Sequence, residues 1–395
     1  MYKFRNIDSF KPGLFERVGM LKGKRWYTDY SNVNHPKNGL FKPKRFEFGD
    51  KKVFCANHYG EFIGYLLARN AHTPSCPAEL AILTNYYPHI HKEKNGGTPV
   101  EKKGCIIYSL LGKKDILEPG SIVIENLPEL RRKYKSEDDI ELFLEAVEQR
   151  TRNFYDENSK TNRNMISLKQ NSGNQNELSK DYVENRVKNN RLQAIEMIIY
   201  DCLYGNNDRH TDNWSMVQIY DNNRADIALY PLYDNERVLG LYENQYTVES
   251  VLESKNSSKK IDDILFSRMR VPGEKNKFSN YRDVLTYIMH KYPEEAARIL
   301  ERHLKTNTPE KVNTFLRFCD GLPTCYIDFA NSMYKDRYFF AKELLEKKKN
   351  FKDKQSDDMY KIDFGKKEDK QEEFVYFRRT IAPHTKIGYA EEPSK

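Results

Sequence analysis

An apolar stripe running into a polar loop and then into a hairpin constrains this chain more than any other feature. The stripe is Val183, Val187, Leu192, Ile195, Ile198, Ile199 and Cys202, spaced for one face of a helix from about Asp181 to Tyr204, with Gly205 as its stop. The loop reads Asn206-Asn207-Asp208-Arg209-His210-Thr211-Asp212-Asn213. Ser215 to Tyr220 and Ala225 to Pro231 then read as two strands around an Asp221-Asn222-Asn223-Arg224 turn, and they deliver Tyr233-Asp234-Asn235. A helix, a polar loop, a hairpin and an aspartate follow one another in that order.

Upstream the grammar differs. Short aromatic and β-branched runs (KGKRWYTDY, GLFKP, RFEFGDKKVFCA around Gly49-Asp50, GCIIYSLL and SIVIENL) are separated by turn signals, which predicts an antiparallel sheet. A polar loop with Pro119-Gly120 divides the last two runs. One helix interrupts the sheet, since Phe62, Ile63, Leu66 and Leu67 after Gly60 keep helical spacing up to Thr73-Pro74. From Ser136, a candidate cap, Ile140, Phe143, Leu144 and Val147 form a helical stripe. Further helices are expected at Tyr281 to Tyr292, Pro293 to Lys305, and from Thr308-Pro309 onward.

A chain of 395 residues exceeds what one hydrophobic core usually organises. The expected division is a β-rich lobe over 1–130, a helical lobe over 131–340 and a charged helix or tail over 341–395. Within 157–180 six Asn and four Ser bury too little apolar area to offset the entropy of ordering, so a mobile insertion is expected. In the tail 20 of the 32 residues from Lys342 to Glu373 are charged with alternating sign, which argues against a dedicated nucleic-acid arm. The net charge of +8 permits a polyanion partner without implying one. Six scattered cysteines without a C-x-x-C pair exclude a zinc ribbon and a disulfide scaffold and read as buried thiols. Charges in the first residues and the lack of an apolar run of about 18 residues lead to the expectation of a cytoplasmic protein without a membrane span.

The order of the chemistry-bearing segments suits phosphoryl transfer, where catalysis is mostly positioning and charge neutralisation. One carboxylate, Asp208, has to sit beside an acceptor hydroxyl. Five residues on, Asn213 offers a neutral oxygen to a Mg²⁺ ion, and Asp234 brings a second carboxylate on the neighbouring strand. The interval from Asp to Asn equals that of the H-R-D-x-x-x-x-N loop of protein kinases, although Arg209 and His210 here follow the Asp.

Four segments together resemble the HipA-type serine/threonine kinases, and more distantly the phosphoinositide kinases. They are N-x-D-R-H-x-x-N at Asn206 to Asn213, P-L-Y-D-N at Pro231 to Asn235, Gly39-Leu40-Phe41-Lys42-Pro43, and Glu61 to Ala81, which looks like that family's helix after the lysine strand. The resemblance covers about residues 35 to 245. It implies an α+β, two-lobed protein-kinase-like fold, with ATP and Mg²⁺ in the cleft and phosphate passed to a Ser/Thr hydroxyl of a protein substrate. Self-phosphorylation and an antitoxin-type partner stay open, and nucleic acid would be reached only through a partner protein.

Residue by residue, the resemblance makes Lys42 the lysine on the α- and β-phosphates, Asp208 the base, and Asn213 and Asp234 the Mg²⁺ ligands. His210 would brace the loop or approach phosphate, and Ile107, Tyr108 and Leu110 fall in the segment that resembles the hinge meeting adenine. Glu61 has two readings, an ion pair with Lys42 or a carboxylate at a helix start. Lys44 shares Lys42's strand face and competes with it; Gly19 to Lys24 and Ser31 to Asn38 are both candidates for the loop over the phosphates. Ile362-Asp363-Phe364-Gly365 spells a kinase metal motif but lies in the charged tail, 155 residues beyond Asp208, and reads as tail. Ser257 and Ser258 read as a solvated loop before they read as modification sites. The alternatives to a protein kinase are a phosphoinositide or small-molecule kinase and a nucleotide-binding pseudokinase or interaction module.

Overall fold

The computed structural model describes residues 1–12, 24–33, 35–44, 46–47, 53–86, 100–166, 180–221, 224–254, 257–264, 267–272 and 279–358. The chain divides into two units, Met1–Lys348 and Lys349–Lys395, and the fold below is that of the first. The tail motif from Ile362 lies outside the described residues, as do Gly19 to Gly23 and the Gly49-Asp50 turn.

The strands are β1 (Arg5–Asn6), β2 (Lys11–Pro12), β3 (Arg25–Asp29), β4 (Lys37–Pro43), β5 (Phe46–Glu47), β6 (Val53–Phe54), β7 (Ala78–Tyr86), β8 (Val100–Tyr108), β9 (Ile116–Pro119), β10 (Ser215–Asp221) and β11 (Arg224–Leu229). Six of them form one sheet in the order β1-β7-β8-β4-β3-β2, antiparallel except where β1 joins β7. Side chains alternate between its faces. Phe41 enters a core with Ile7, Phe10, Tyr27, Ala81, Leu83, Ile106 and Tyr108. Its neighbour Lys42 therefore takes the other face, in one cross-strand row with Cys105 and Leu80. The helix Asn57–Asn70 packs against β7 and β8.

The second lobe is built on the helices Ile140–Ile166 and Lys180–Tyr204, which pack together through Asn190 to Thr151 (2.9 Å) and the Tyr155 and Tyr182 rings. Arg186 and the Tyr155 hydroxyl both grip Asp226 on β11, which ties the hairpin to the helix pair. The helices Tyr281–Lys291, Pro293–Thr306, Pro309–Arg317 and Thr324–Asp358 follow. Gly205 ends its helix at φ +71°, a conformation that favours glycine. Five of the six cysteines are buried and all are free thiols.

Four expectations need correction. The run SIVIENL is the helix Gly120–Glu125, and the strand is β9, inside the segment read as a polar loop. The cause is tertiary: β10 captures β9, and the Trp214 carbonyl takes the Gly120 N–H at 2.9 Å, with the indole filling the space where a Cβ would stand. The first helix starts at Asn57, before Gly60, and ends at Asn70, so Ala78 to Ala81 of the stretch compared with a kinase helix are already strand. Ser136 makes a turn while Asp139 accepts from the Glu141 N–H (2.9 Å) at the start of the helix. Residues 157–166 continue that helix; 167–179 lie outside the described residues.

Candidate active site

Alternation along β4 sends the Lys42 ammonium under the helix Asn57–Asn70, where it bonds Glu61 and Asp234. Lys42 is 4% exposed and Glu61 2%. The ion-pair reading of Glu61 therefore holds; four residues inside its helix, it is too deep to act on the helix dipole. Its second oxygen accepts from the Asn235 N–H at 2.8 Å, so the helix grips the residue after Asp234 as well. Asp234 takes this position at φ +55°, in the left-handed region. Lys44, beyond the end of β4, lies with its Nζ 3.6 Å from the Phe54 ring centroid, away from these carboxylates.

Burial works against a charged Lys42, but Asp234 and Glu61 outweigh it and hold its proton on. Burial likewise pushes the Asp234 carboxyl up, and Lys42 and then Lys24 pull it well below the usual range. Glu61 is raised by its complete burial, which Lys42 only partly opposes. Lys24 lies 4.0 Å from Asp234 and is shifted down by desolvation and by Lys42.

Glu236, unremarked in the sequence reading, is 5% exposed and completes a trio with Glu61 and Asp234, each offering an oxygen within 4.8 Å of the others. Its only sequence signal is a place two residues past Asp234. Glu61 and Glu236, both buried, and the partly exposed Asp234 face two ammonium groups, Lys42 and Lys24, so the carboxylates outnumber these ammonium groups by one. Hard oxygen donors with surplus negative charge suit Mg²⁺.

The polar loop is wired by Arg209, 1% exposed, which a sequence alone presents as a loop cation. It pairs with Asp201 through two bonds of 2.9 and 3.0 Å and donates to the Asn213 carbonyl (2.6 Å), the Tyr233 carbonyl (2.8 Å) and Asn235 Oδ1 (3.2 Å). One guanidinium thus joins the loop to the segment carrying Asp234. Asn213 Nδ2 donates to the Asp208 carbonyl (2.6 Å), which commits the amide nitrogen and leaves the side-chain oxygen for a cation. His210 braces the loop: its Nδ1 accepts the Asp212 N–H at 3.2 Å. Asp208 is ion-paired to Arg237 and Arg268, both at 3.1 Å.

Ile107 and Tyr108 end β8, paired with both β4 and β7. Their segment has few backbone donors left: Tyr108 N–H goes to Pro77, Ser109 N–H to Asn38, and Leu110 N–H to the Tyr230 hydroxyl (3.0 Å). The lobes are pinned close by, where Leu232 and the segment Pro74 to Cys76 exchange bonds of 3.0 and 2.8 Å.

No protein-family model matches this chain, and no curated protein sequence does. Among solved structures it is similar to the Helicobacter pylori proinflammatory kinase CtkA, with a TM-score of 0.60 and 15% identity over 87% of this chain and 98% of that one. HipA of Shewanella oneidensis MR-1, in its complex with HipB and operator DNA, gives a TM-score of 0.43 and 10% identity over 84% and 67%. A Golgi casein kinase gives 0.33 and 14% over 85% and 73%. The likeness to CtkA carries the fold assignment: the chain has a two-lobed, α+β protein-kinase-like fold with a β-rich first lobe and a mainly helical second one.

Proposed function

We propose that this chain is a kinase that uses Mg·ATP to phosphorylate a Ser or Thr hydroxyl of a protein. The observation that carries the proposal is the buried ion pair of Lys42 with Glu61 and Asp234, joined across two lobes of a kinase-like fold. A lysine charged by its neighbours is suited to phosphate oxygens, and Glu61 fixes where it points. Ile107, Tyr108 and Leu110 would border adenine; the Leu110 N–H would have to leave Tyr230 to bond the base.

Asn213 and Asp234 would hold the Mg²⁺, with Glu236 beside them. When bound, the ion neutralises charge on the transferred group. Asp208 takes the hydroxyl proton as the acceptor oxygen bonds to the γ-phosphorus and the bond from that phosphorus to the bridging oxygen breaks, leaving ADP. His210 keeps the loop in shape, and Arg209 keeps Asn213 and the Asp234 segment in register.

Incubation with labelled ATP and Mg²⁺, followed by phosphosite mass spectrometry of the chain and of added proteins, tests the reading. Asp208→Asn should lower incorporation by about 10²–10⁴-fold with the circular dichroism spectrum unchanged. Full activity in that variant removes Asp208 from the mechanism. Label found only in added lipid vesicles would replace the protein substrate by a lipid.

A further inference from the structure

Both oxygens of the Asp208 carboxylate already hold a guanidinium. Oδ2 lies 3.1 Å from Arg237 Nε, and Oδ1 accepts from Arg268 at 3.1 Å. Arg237 also reaches Asn207 Oδ1 (3.4 Å) and covers the Tyr242 ring at 4.3 Å, so it is fixed on several sides. Arg268 is 39% exposed, with a second ion pair to Asp138 at 3.6 Å. Its backbone is set in place: Arg270 N–H donates to the Asp138 carbonyl (2.8 Å), Ile140 N–H to the Arg270 carbonyl (3.1 Å), and Ser267 and Ser279 exchange two backbone bonds.

A hydroxyl that approaches Asp208 competes with these arginines for the carboxylate's charge and lone pairs. Arg268 is the more exposed of the two. A neutral acceptor weakens one of its two carboxylate pairs and returns nothing. An acceptor with a carboxylate beside the hydroxyl returns a partner of the same kind, and a charge-assisted bond replaces a charge-assisted bond. A basic acceptor offers the two guanidinium groups no carboxylate in return. We infer that the acceptor is an acidic segment, a Ser or Thr flanked by carboxylates, and that Arg268 is the residue that selects it.

This rests on the kinase reading, and the test separates the two. Three peptides with one serine each, flanked by Glu, Ala or Lys, are offered to the full chain with Mg·ATP, and the melting temperature is measured with and without Mg·ATP. The Glu peptide should exceed the Ala peptide at least tenfold in kcat/KM, mostly through KM, with the Lys peptide last. The preference should shrink as salt rises, because the charges involved are part-exposed. Arg268→Gln should bring the Glu-to-Ala ratio close to one, and Arg268→Lys should keep part of it, having the charge without the fork. A merely structural role would slow both peptides alike and leave the ratio untouched, which overturns the inference. So do equal rates on the three wild-type peptides, a preference for Ala or Lys, or no phosphorylation of any of them while Mg·ATP still raises the melting temperature. If no peptide is phosphorylated and Mg·ATP leaves the melting temperature unchanged, the kinase reading falls and this inference with it.

Discussion

Removing the Lys42 ammonium would leave Glu61 buried with no cation in contact among the described residues, and stranding one member of a buried pair costs about 3–5 kcal/mol. Lys42→Met should lower stability by that order, whereas Lys42→Met with Glu61→Gln should cost clearly less than the two single changes added together; urea midpoints of the four proteins measure the coupling. His58 supplies a second residue-scale test. Its ring is 1% exposed, 4.1 Å from the Tyr59 ring, and its Nδ1 makes no hydrogen bond among the described residues. Burial first, then Lys44, Lys103 and Lys102, push it down to about 3. Unfolded, it protonates near the ordinary value of about 6.5, so between these values the unfolded chain binds the extra proton. Stability is then complete above about pH 6.5 and drains as pH falls toward 3, by up to ~1.4 kcal/mol per pH unit. His58→Phe should flatten the decline in melting temperature between pH 7.5 and pH 4.5; equal slopes would refute the assignment. The loop residues were legible in the sequence because their spacing is a property of one short stretch. Arg209 was legible as a residue and not as the hub of the loop, since its partners Asp201 and Asn235 come from a helix and from beyond the hairpin.

Among the elements, the helix Asn57–Asn70 lies close against the backbone that follows Asp234. A Cβ on Gly60 would stand 2.3 Å from the Glu236 carbonyl oxygen, and backbone cannot swing aside as a side chain does. Gly60→Ala should therefore cost about 1–3 kcal/mol and, by shifting Glu61 next door, weaken Mg·ATP binding in calorimetry. Helix ends were readable wherever the chemistry of the end is local: Pro293 and Pro309 sit in first turns, Thr308 accepts from the Lys311 N–H, and Gly205 ends its helix at positive φ. The run Ile122-Val123-Ile124 misled because β-branched residues fit a strand, yet Val123 and Ile124 bury as well on a short helix once Trp214 has fixed Gly120.

At the scale of the molecule, the charged cluster draws on both lobes, with Lys42 and Glu61 from one and Asp234 and Glu236 from the other. A ligand bound by both lobes stabilises the folded chain by mass action, about 2.7 kcal/mol at a hundredfold excess over Kd. Mg·ATP should accordingly raise the melting temperature of the native chain and fail to do so for Asp234→Ala. Among the described residues no helix is long and apolar enough to cross a membrane. By itself the sequence determined the change from strands to helices, the loop and hairpin that carry Asp208, Asn213 and Asp234, and the strand that carries Lys42, because periodicity, turn chemistry and spacing act over a few residues. Only the tertiary structure decided that Lys42 meets Glu61 and Asp234, 19 and 192 residues away, that Glu236 joins them, and that two arginines hold Asp208. Encounters between distant segments depend on how helices and sheets bury their apolar faces together, and no local pattern records that.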